Sequence, residues 1–145
     1  MAKIGKGRQV MTEQELNQVR ELNVKIKTIE NQLSILRKRA EDLVPKRDGL
    51  PHSSGIHSKV ESLALKIVEA SEGLPALHEQ ITQAAAVLTE KICREVDEPN
   101  QRTILIFRYV FCMNFRDISF QTGYSDRKVF ALHHDALKIL QLTCS

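Results

Sequence analysis

The residue types best suited to binding another molecule stand together near the C-terminal end, at Ser125, Asp126, Arg127 and Lys128. Arginine and lysine hydrogen-bond the edge of guanine, serine bonds a base or a phosphate, and a carboxylate accepts a hydrogen bond from cytosine. The apolar residues that follow recur at helical spacing, which predicts that these four residues form the first turn of a helix. Because DNA-reading helices enter the major groove with their N-terminal residues, this arrangement predicts contacts with the bases of double-stranded DNA.

The helix that presents these residues is defined by one cap and one apolar stripe. The side-chain oxygen of Ser125 can accept from the first backbone N–H groups, so Ser125 is the predicted N-cap. On the outer face Ala131, His134 and Lys138 follow the first turn, and we expect His134 and Lys138 to meet phosphates. The inward stripe consists of Val129, Leu132, Ala136, Leu137 and Leu140.

A shorter helix precedes this one. Asn114 is suited to cap its N-terminus, and Gly123 is suited to end it because glycine adopts the left-handed conformation without strain. Phe115 and Ile118 lie three residues apart and share its inner face. Two helices joined by a short turn that contains glycine form a helix-turn-helix. An ordinary helical hairpin with a solvated polar face is the alternative, but the two caps, the glycine and the basic first turn together favour DNA binding.

Residues 108–140 resemble region 4 of bacterial sigma factors and, more closely, the small phage and prophage regulators of the ArpU and RinA type. The resemblance rests on the Arg-Tyr pair at Arg108, on the Gly-Tyr-Ser turn that begins at Gly123, and on the spacing of apolar residues and histidine over residues 129–140. It implies a DNA-binding helix-turn-helix behind a helical N-terminal part. It also implies a structural role for the Arg-Tyr pair, with Arg108 at the DNA backbone. Arg116, on the shorter helix, completes the predicted set of DNA contacts.

Three departures from the family pattern fall within the motif. Cys112 replaces the usual glycine before the shorter helix, and Ser119 and Phe120 stand where alanine and a polar residue are typical. Asp126 puts an acid where family members often carry a base. This acid predicts either a weaker attraction to phosphate or a different base preference.

Residues 12–96 predict a helical coiled-coil arm ahead of a helix-turn-helix domain at residues 97–145. Two stretches, about 12–44 and 58–96, carry apolar residues at alternating steps of three and four, which is a heptad seam. Residues 45–57 contain two prolines and two glycines and predict a linker. The first seam is Val19, Leu22, Ile26, Ile29, Leu33, Leu36, Ala40 and Leu43, and the second is Val60, Leu63, Ile67, Ala70, Leu74, Leu77, Ile81, Ala84 and Leu88.

The arm predicts a hairpin or a contact with a second chain. The second seam keeps its phase through Gly73 and Pro75, which predicts one kinked helix rather than two. Capping boxes are predicted at Thr12–Glu15 and Ser58–Glu61. The two seams can bury each other in an antiparallel hairpin, or they can meet those of a second copy. Because a two-helix hairpin has a thin core, we expect a homodimer.

The composition predicts an all-α chain and argues against several classes of protein. No apolar run is long enough to span a bilayer, and residues 1–11, predicted to be flexible, are basic without the apolar segment of a signal peptide. Cys93, Cys112 and Cys144 lack a disulfide or metal-ligand spacing, which favours a reducing cytoplasm. No nucleotide-binding glycine loop or nucleophile motif is present, so we expect neither an enzyme nor a bound cofactor or metal.

The expected partners are double-stranded DNA, a second copy through the arm and, as a further candidate, RNA polymerase, with no membrane. The net charge is +3, and residues 100–145 hold six basic and three acidic residues, so the motif lies in a positive segment. Two alternatives remain open. A small terminase-like DNA-packaging subunit would form a ring, and a sigma-like protein-interaction module would not bind DNA at all.

Overall fold

The chain is all-helical throughout the residues that the structure describes. A computed structural model describes residues 11–43 and 54–142, with side chains from residue 58 onward in the second range, and neither range contains a strand. None of the described helices combines the length and the apolar character that crossing a bilayer needs. The predictions for residues 1–10, for residue 44, for residues 45–53 of the predicted linker and for Cys144 lie outside the described residues. Residues 54–57 of that linker are helical instead. The helices are α1 Glu13–Leu43, α2 Ser54–Glu72, α3 Leu74–Glu95, α4 Pro99–Leu105 with a π-helical continuation Ile106–Val110, α5 Phe115–Thr122 and α6 Asp126–Ile139.

The chain divides into two compact units, and the first runs from Val24 to Gln80. Over residues 24–43 every position off the predicted seam is exposed, whereas every seam position is buried or half-buried. Glu30 of α1 and His78 of α3 approach to 3.9 Å between Oε2 and Nε2. The heptad pattern therefore identified the protected face of α1 correctly.

The helix after the linker begins and bends at identifiable residues. α2 begins at Ser54, earlier than predicted, so Ser58 lies inside the helix and does not cap it. Gly73 alone separates α2 from α3, and the Leu77 N–H donates to the Gly73 carbonyl at 3.1 Å. Pro75 is the second residue of α3, where a missing N–H costs no helical hydrogen bond. The interruption lies where the kink was predicted.

The second unit contains the described residues up to Asn23 together with those from Ile81 onward. Its main core brings the first turns of α1 and the last turns of α3 together with the π-helical segment and α6. Met11, which the sequence placed in the flexible start, is instead 1% exposed because it packs in this core. The buried members are Met11, Leu16, Val19, Leu88, Ile92, Val96, Leu105, Tyr109, Ala136, Leu137, Leu140 and Leu142.

Polar contacts fix how helices start and meet in this unit. Thr12 Oγ1 accepts from the Glu15 N–H at 3.0 Å, which confirms half of the predicted capping box. The Glu15 carboxylate accepts from Lys91 Nζ at 2.7 Å, so it binds α3 rather than reaching back to Thr12. Arg102 of α4 donates to two carbonyls at the C-terminal end of α3, at 2.9 and 3.1 Å. These bonds satisfy carbonyls that a helix end leaves without partners.

Candidate nucleic-acid interface

Local capping positions α5 and α6 as the sequence predicts. Asn114 Oδ1 accepts from the Asp117 N–H at 2.8 Å, and Ser125 Oγ accepts from the Lys128 N–H at 3.1 Å. Gly123 ends α5 with φ +79°, in the left-handed region. A residue with a Cβ would be strained in that conformation, so the glycine serves its predicted role.

Side-chain hydrogen bonds hold the turn between α5 and α6. Ser119 Oγ donates to the Tyr124 carbonyl at 2.5 Å, which gives this departure from the family's alanine a structural role. The Tyr124 hydroxyl donates to Asn100 Oδ1 at 2.8 Å and ties the turn to α4. The ring of Tyr124 packs on the apolar cluster beneath, and Lys128 Nζ lies 4.2 Å from its centroid. Tyr124 is therefore a packing residue with its hydroxyl at the surface.

A small apolar cluster joins α4, α5 and α6. Ile104, Ile118 and Val129 are each 0% exposed at its centre. Phe111, which follows the π-helical segment, is 61% exposed and lies outside this cluster. The reason is the π-helical turn, in which the Phe111 N–H donates to the Ile106 carbonyl at 3.0 Å. One extra residue in the turn rotates Phe111 off the inner face.

Cys112 adopts a backbone conformation that favours glycine. Its φ is +60°, in the left-handed region. The resemblance places a glycine here, and this conformation explains the preference. For a residue with a Cβ the conformation costs about 1–2 kcal/mol, so the chain keeps the turn at the expense of some strain.

The outer face of α6 carries every DNA contact predicted on that helix, and all of them are exposed. Arg127, Ala131, His134 and Lys138 follow one another at helical spacing along a single line. Among the described residues Arg127 has no hydrogen-bond or ion-pair partner. Asp126 lies beside it in the first turn, where a carboxylate also suits the positive end of the helix. This face can offer several cationic donors to a polyanion.

The two predicted arginines outside α6 differ in their surroundings. Arg116 is exposed on α5. Arg108 is half-buried, donates from Nη1 to the Met113 carbonyl at 3.2 Å and lies 4.3 Å from the centroid of the Phe115 ring. Burial, and then the nearby charge of Arg20, lower the pKa of Arg108 below its ordinary value. The structure therefore does not bring Arg108 into the exposed line on α6.

Arg108 instead lines a partly enclosed cavity of about 380 Å³ formed by α1, the π-helical segment, α5 and α6. In its wall Tyr109 Oη and His133 Nε2 are 2.7 Å apart, and both residues are buried. The burial of Tyr109 agrees with the structural role that the resemblance implies for it. Burial, followed by the charge of Arg108, lowers the pKa of His133 to about 4, so its imidazole is neutral at pH 7. No sequence pattern predicted this cavity, because it brings Arg20 of α1 together with residues of the C-terminal helices that are distant in the chain.

Across residues 11–43 and 54–142 no group of three or more His, Cys, Asp or Glu residues is arranged to hold a metal ion. Cys93 is exposed and Cys112 is half-buried. A scan against protein-family models and searches of curated proteins and of solved structures each returned no significant match.

Proposed function

We propose that this chain is a sequence-specific DNA-binding transcriptional regulator of phage or prophage type. In this proposal α5, the turn at Gly123 and α6 form a helix-turn-helix of the sigma region 4 kind. The observation that carries it is Arg127, which is exposed in the first turn of α6 and has no partner among the described residues. A cationic donor at the N-terminal end of a firmly packed helix is what reading guanine in the major groove requires.

The other exposed residues of α6 suit different parts of the duplex according to their distance from the start of the helix. Ser125 and Lys128 flank Arg127, and Ala131 follows one turn on with a methyl group suited to the methyl of thymine. His134 and Lys138, further along, suit phosphates. Arg116 suits a phosphate from the other helix, because the first helix of such motifs crosses the DNA backbone.

Replacing Arg127 with alanine is expected to weaken binding to a cognate site by about 1–3 kcal/mol, because a bidentate base contact contributes that much. Binding to unrelated DNA is expected to fall less, because non-specific complexes are held by phosphate contacts alone. Anisotropy titrations with fragments from the gene's own neighbourhood, at two salt concentrations, measure both quantities.

The matched control is Arg94→Ala, which removes one charge from an exposed position of α3. Its cognate affinity is expected to equal that of the wild type. An equal loss in both variants would show that Arg127 contributes only net charge. The absence of sequence-selective binding by the wild type at either salt concentration would contradict the proposed function itself.

We further propose that the arm joins two copies of the chain. In the unit from Val24 to Gln80 the seam positions other than Ile26 and Leu33 are half-buried rather than buried. A second copy that covers them would remove apolar surface from water. The mass in solution is therefore expected to be about 33 kDa, twice the 16.5 kDa of one chain.

Light scattering after size exclusion measures this mass, and two substitutions in α2 test the surface. Ile67→Asn lies on the seam and is expected to shift the mass toward one chain, whereas Leu65→Asn, at a position 59% exposed and off the seam, is expected to leave it unchanged. A wild type that is monomeric at high concentration contradicts the dimer. A ring of many copies would favour the terminase-like alternative.

One observation favours the alternative of a protein-interaction module. Phe120 is 87% exposed on α5, where the resemblance has a polar residue. Aromatic residues are enriched at protein interfaces relative to the rest of a surface. If the motif binds only protein, the DNA titration will lack the salt dependence that counterion release produces.

A further inference from the structure

The cavity lined by Arg108 has the composition of a small-molecule site. Its volume of about 380 Å³ lies within the usual range for such sites, about 300–1,000 Å³. Its walls come from the start of α1, the π-helical segment, α5 and α6, all within one compact unit. Polar and apolar side chains contribute comparable parts of the wall, so a ligand with both a polar and an apolar part would match it.

The polar part of the wall is cationic. Arg20 and Arg108 both line it, and both are hydrogen-bonded to neutral groups. Arg20 donates to Asn17 Oδ1 at 3.4 Å, and Arg108 donates to the Met113 carbonyl at 3.2 Å and is hydrogen-bonded to Tyr109. Glu13 lies in the same wall, but it forms no ion pair with a described residue. Arg108 Nε is buried and has no hydrogen-bond partner within the described part of the chain. A buried cationic donor without a partner is costly, and a bound anion would remove that cost.

Another part of the wall is aromatic and aliphatic, and Asn17, Tyr109 and His133 add neutral polar groups. The ring centroids of Phe115 and Phe130 lie 4.8 Å apart, with Leu137 and Leu142 also in the lining. Arg108 stacks over Phe115, so the cationic and aromatic parts of the wall adjoin. An inorganic anion would leave the aromatic part uncovered, and a purely apolar ligand would leave two like charges uncompensated.

We propose that this cavity binds a small organic anion. Its carboxylate or phosphate group is held by Arg20 and Arg108, whose planar guanidinium groups match the oxygen spacing of both anions. Its apolar part packs on Phe115 and Phe130. This binding does not depend on whether α6 reads DNA.

Isothermal titration of the full chain, without DNA, tests the proposal with four probes: phenylacetate, phenyl phosphate, inorganic phosphate and phenylacetamide. We expect saturable binding of phenylacetate or phenyl phosphate, and the tighter of the two identifies the preferred anionic group. Phenylacetamide has the same shape without the charge and is expected to bind at least about tenfold more weakly, because hydrogen bonds to ions are about twice as strong as neutral ones. Inorganic phosphate is expected to bind more weakly than phenyl phosphate.

Three substitutions locate the site. Arg20→Gln is expected to weaken anion binding about tenfold or more by removing one charge-assisted contact. Arg94→Gln removes the same charge from an exposed position of α3 outside the cavity and is expected to leave the affinity unchanged. Glu13→Gln is expected to strengthen binding, because it removes a negative charge from the wall. Circular dichroism confirms that each variant is folded.

Three results would each overturn the proposal: no saturable binding of either organic anion, equal binding of the amide, or an unchanged affinity in Arg20→Gln. Because no DNA is present, these results are distinct from a failure of the proposed regulatory function.

Discussion

Replacing Ile118 with alanine is expected to lower the free energy of unfolding by about 2–5 kcal/mol. Ile118 is 0% exposed and packs with Ile104 and Val129 between three helices. The substitution removes buried apolar surface and leaves a cavity that the surrounding helices close only in part. Because small domains are stable by about 5–15 kcal/mol, this single change removes a large share of the total. Urea unfolding followed by circular dichroism measures the loss.

Phe120→Ala is the matched control because it introduces the same residue into the same helix two positions along. Phe120 is 87% exposed, so its removal is expected to change the free energy of unfolding by less than about 0.5 kcal/mol. Equal losses in the two variants would contradict the cluster as the support of α5. A large loss in Phe120→Ala alone would show that a second molecule covers this side chain in solution.

This prediction bears on the proposed DNA contacts because the same cluster fixes the direction of α6. Val129 of the cluster lies in the first half of α6, close in sequence to Arg127 and Lys128. A contact with a base edge depends on placing these side chains to within a fraction of an ångström. We therefore expect that a loosened cluster weakens selective binding before it weakens binding through phosphates.

The features that the sequence predicted correctly are those decided within a few residues or by a repeated spacing. The caps at Asn114 and Ser125 each join residues three apart, and Gly123 adopts the left-handed conformation that ends α5. The seam of α1 shows in the sequence because apolar residues every three or four positions must share one face. These signals do not depend on contacts with residues that are distant in the chain.

The features that it missed depend on contacts between distant parts of the chain. Met11 is buried because it belongs to the same apolar core as residues of the C-terminal helices, and the residues next to Met11 in the sequence do not indicate this. Arg20 and Arg108 meet in one cavity although they lie in different predicted domains. The π-helical turn at Ile106–Val110 also has no counterpart in the spacing of apolar residues.

Acidification from pH 7 to pH 5 is expected to destabilise the chain by about 2 kcal/mol through His133 alone. His133 is 7% exposed, with Nε2 2.7 Å from Tyr109 Oη and its ring edge-on to Phe115 at 5.0 Å. Burial first, and then the charges of Arg108 and His134, lower its pKa from 6.5 to about 4. Between pH 6.5 and pH 4 His133 binds a proton in the unfolded chain but not in the folded chain. Its contribution to the free energy of unfolding is therefore complete above pH 6.5 and is lost as the pH falls toward 4.

Denaturant unfolding at several pH values from 7 to 5 measures this slope, and two substitutions assign it. His133→Gln keeps a hydrogen-bond partner for Tyr109 without a titratable ring. The loss of unfolding free energy between pH 7 and pH 5 is therefore expected to be about 2 kcal/mol smaller in this variant. His134→Gln removes the smallest of the three causes of the lowered His133 pKa and keeps burial and Arg108, so its pH dependence is expected to stay close to that of the wild type. The other charged groups in the same cavity wall are Glu13, Arg20 and Arg108, and both variants retain them. If the free energy of unfolding falls equally with pH in the wild type and in His133→Gln, the prediction is wrong. The buried ring would then accept a proton in the folded chain as readily as in the unfolded chain.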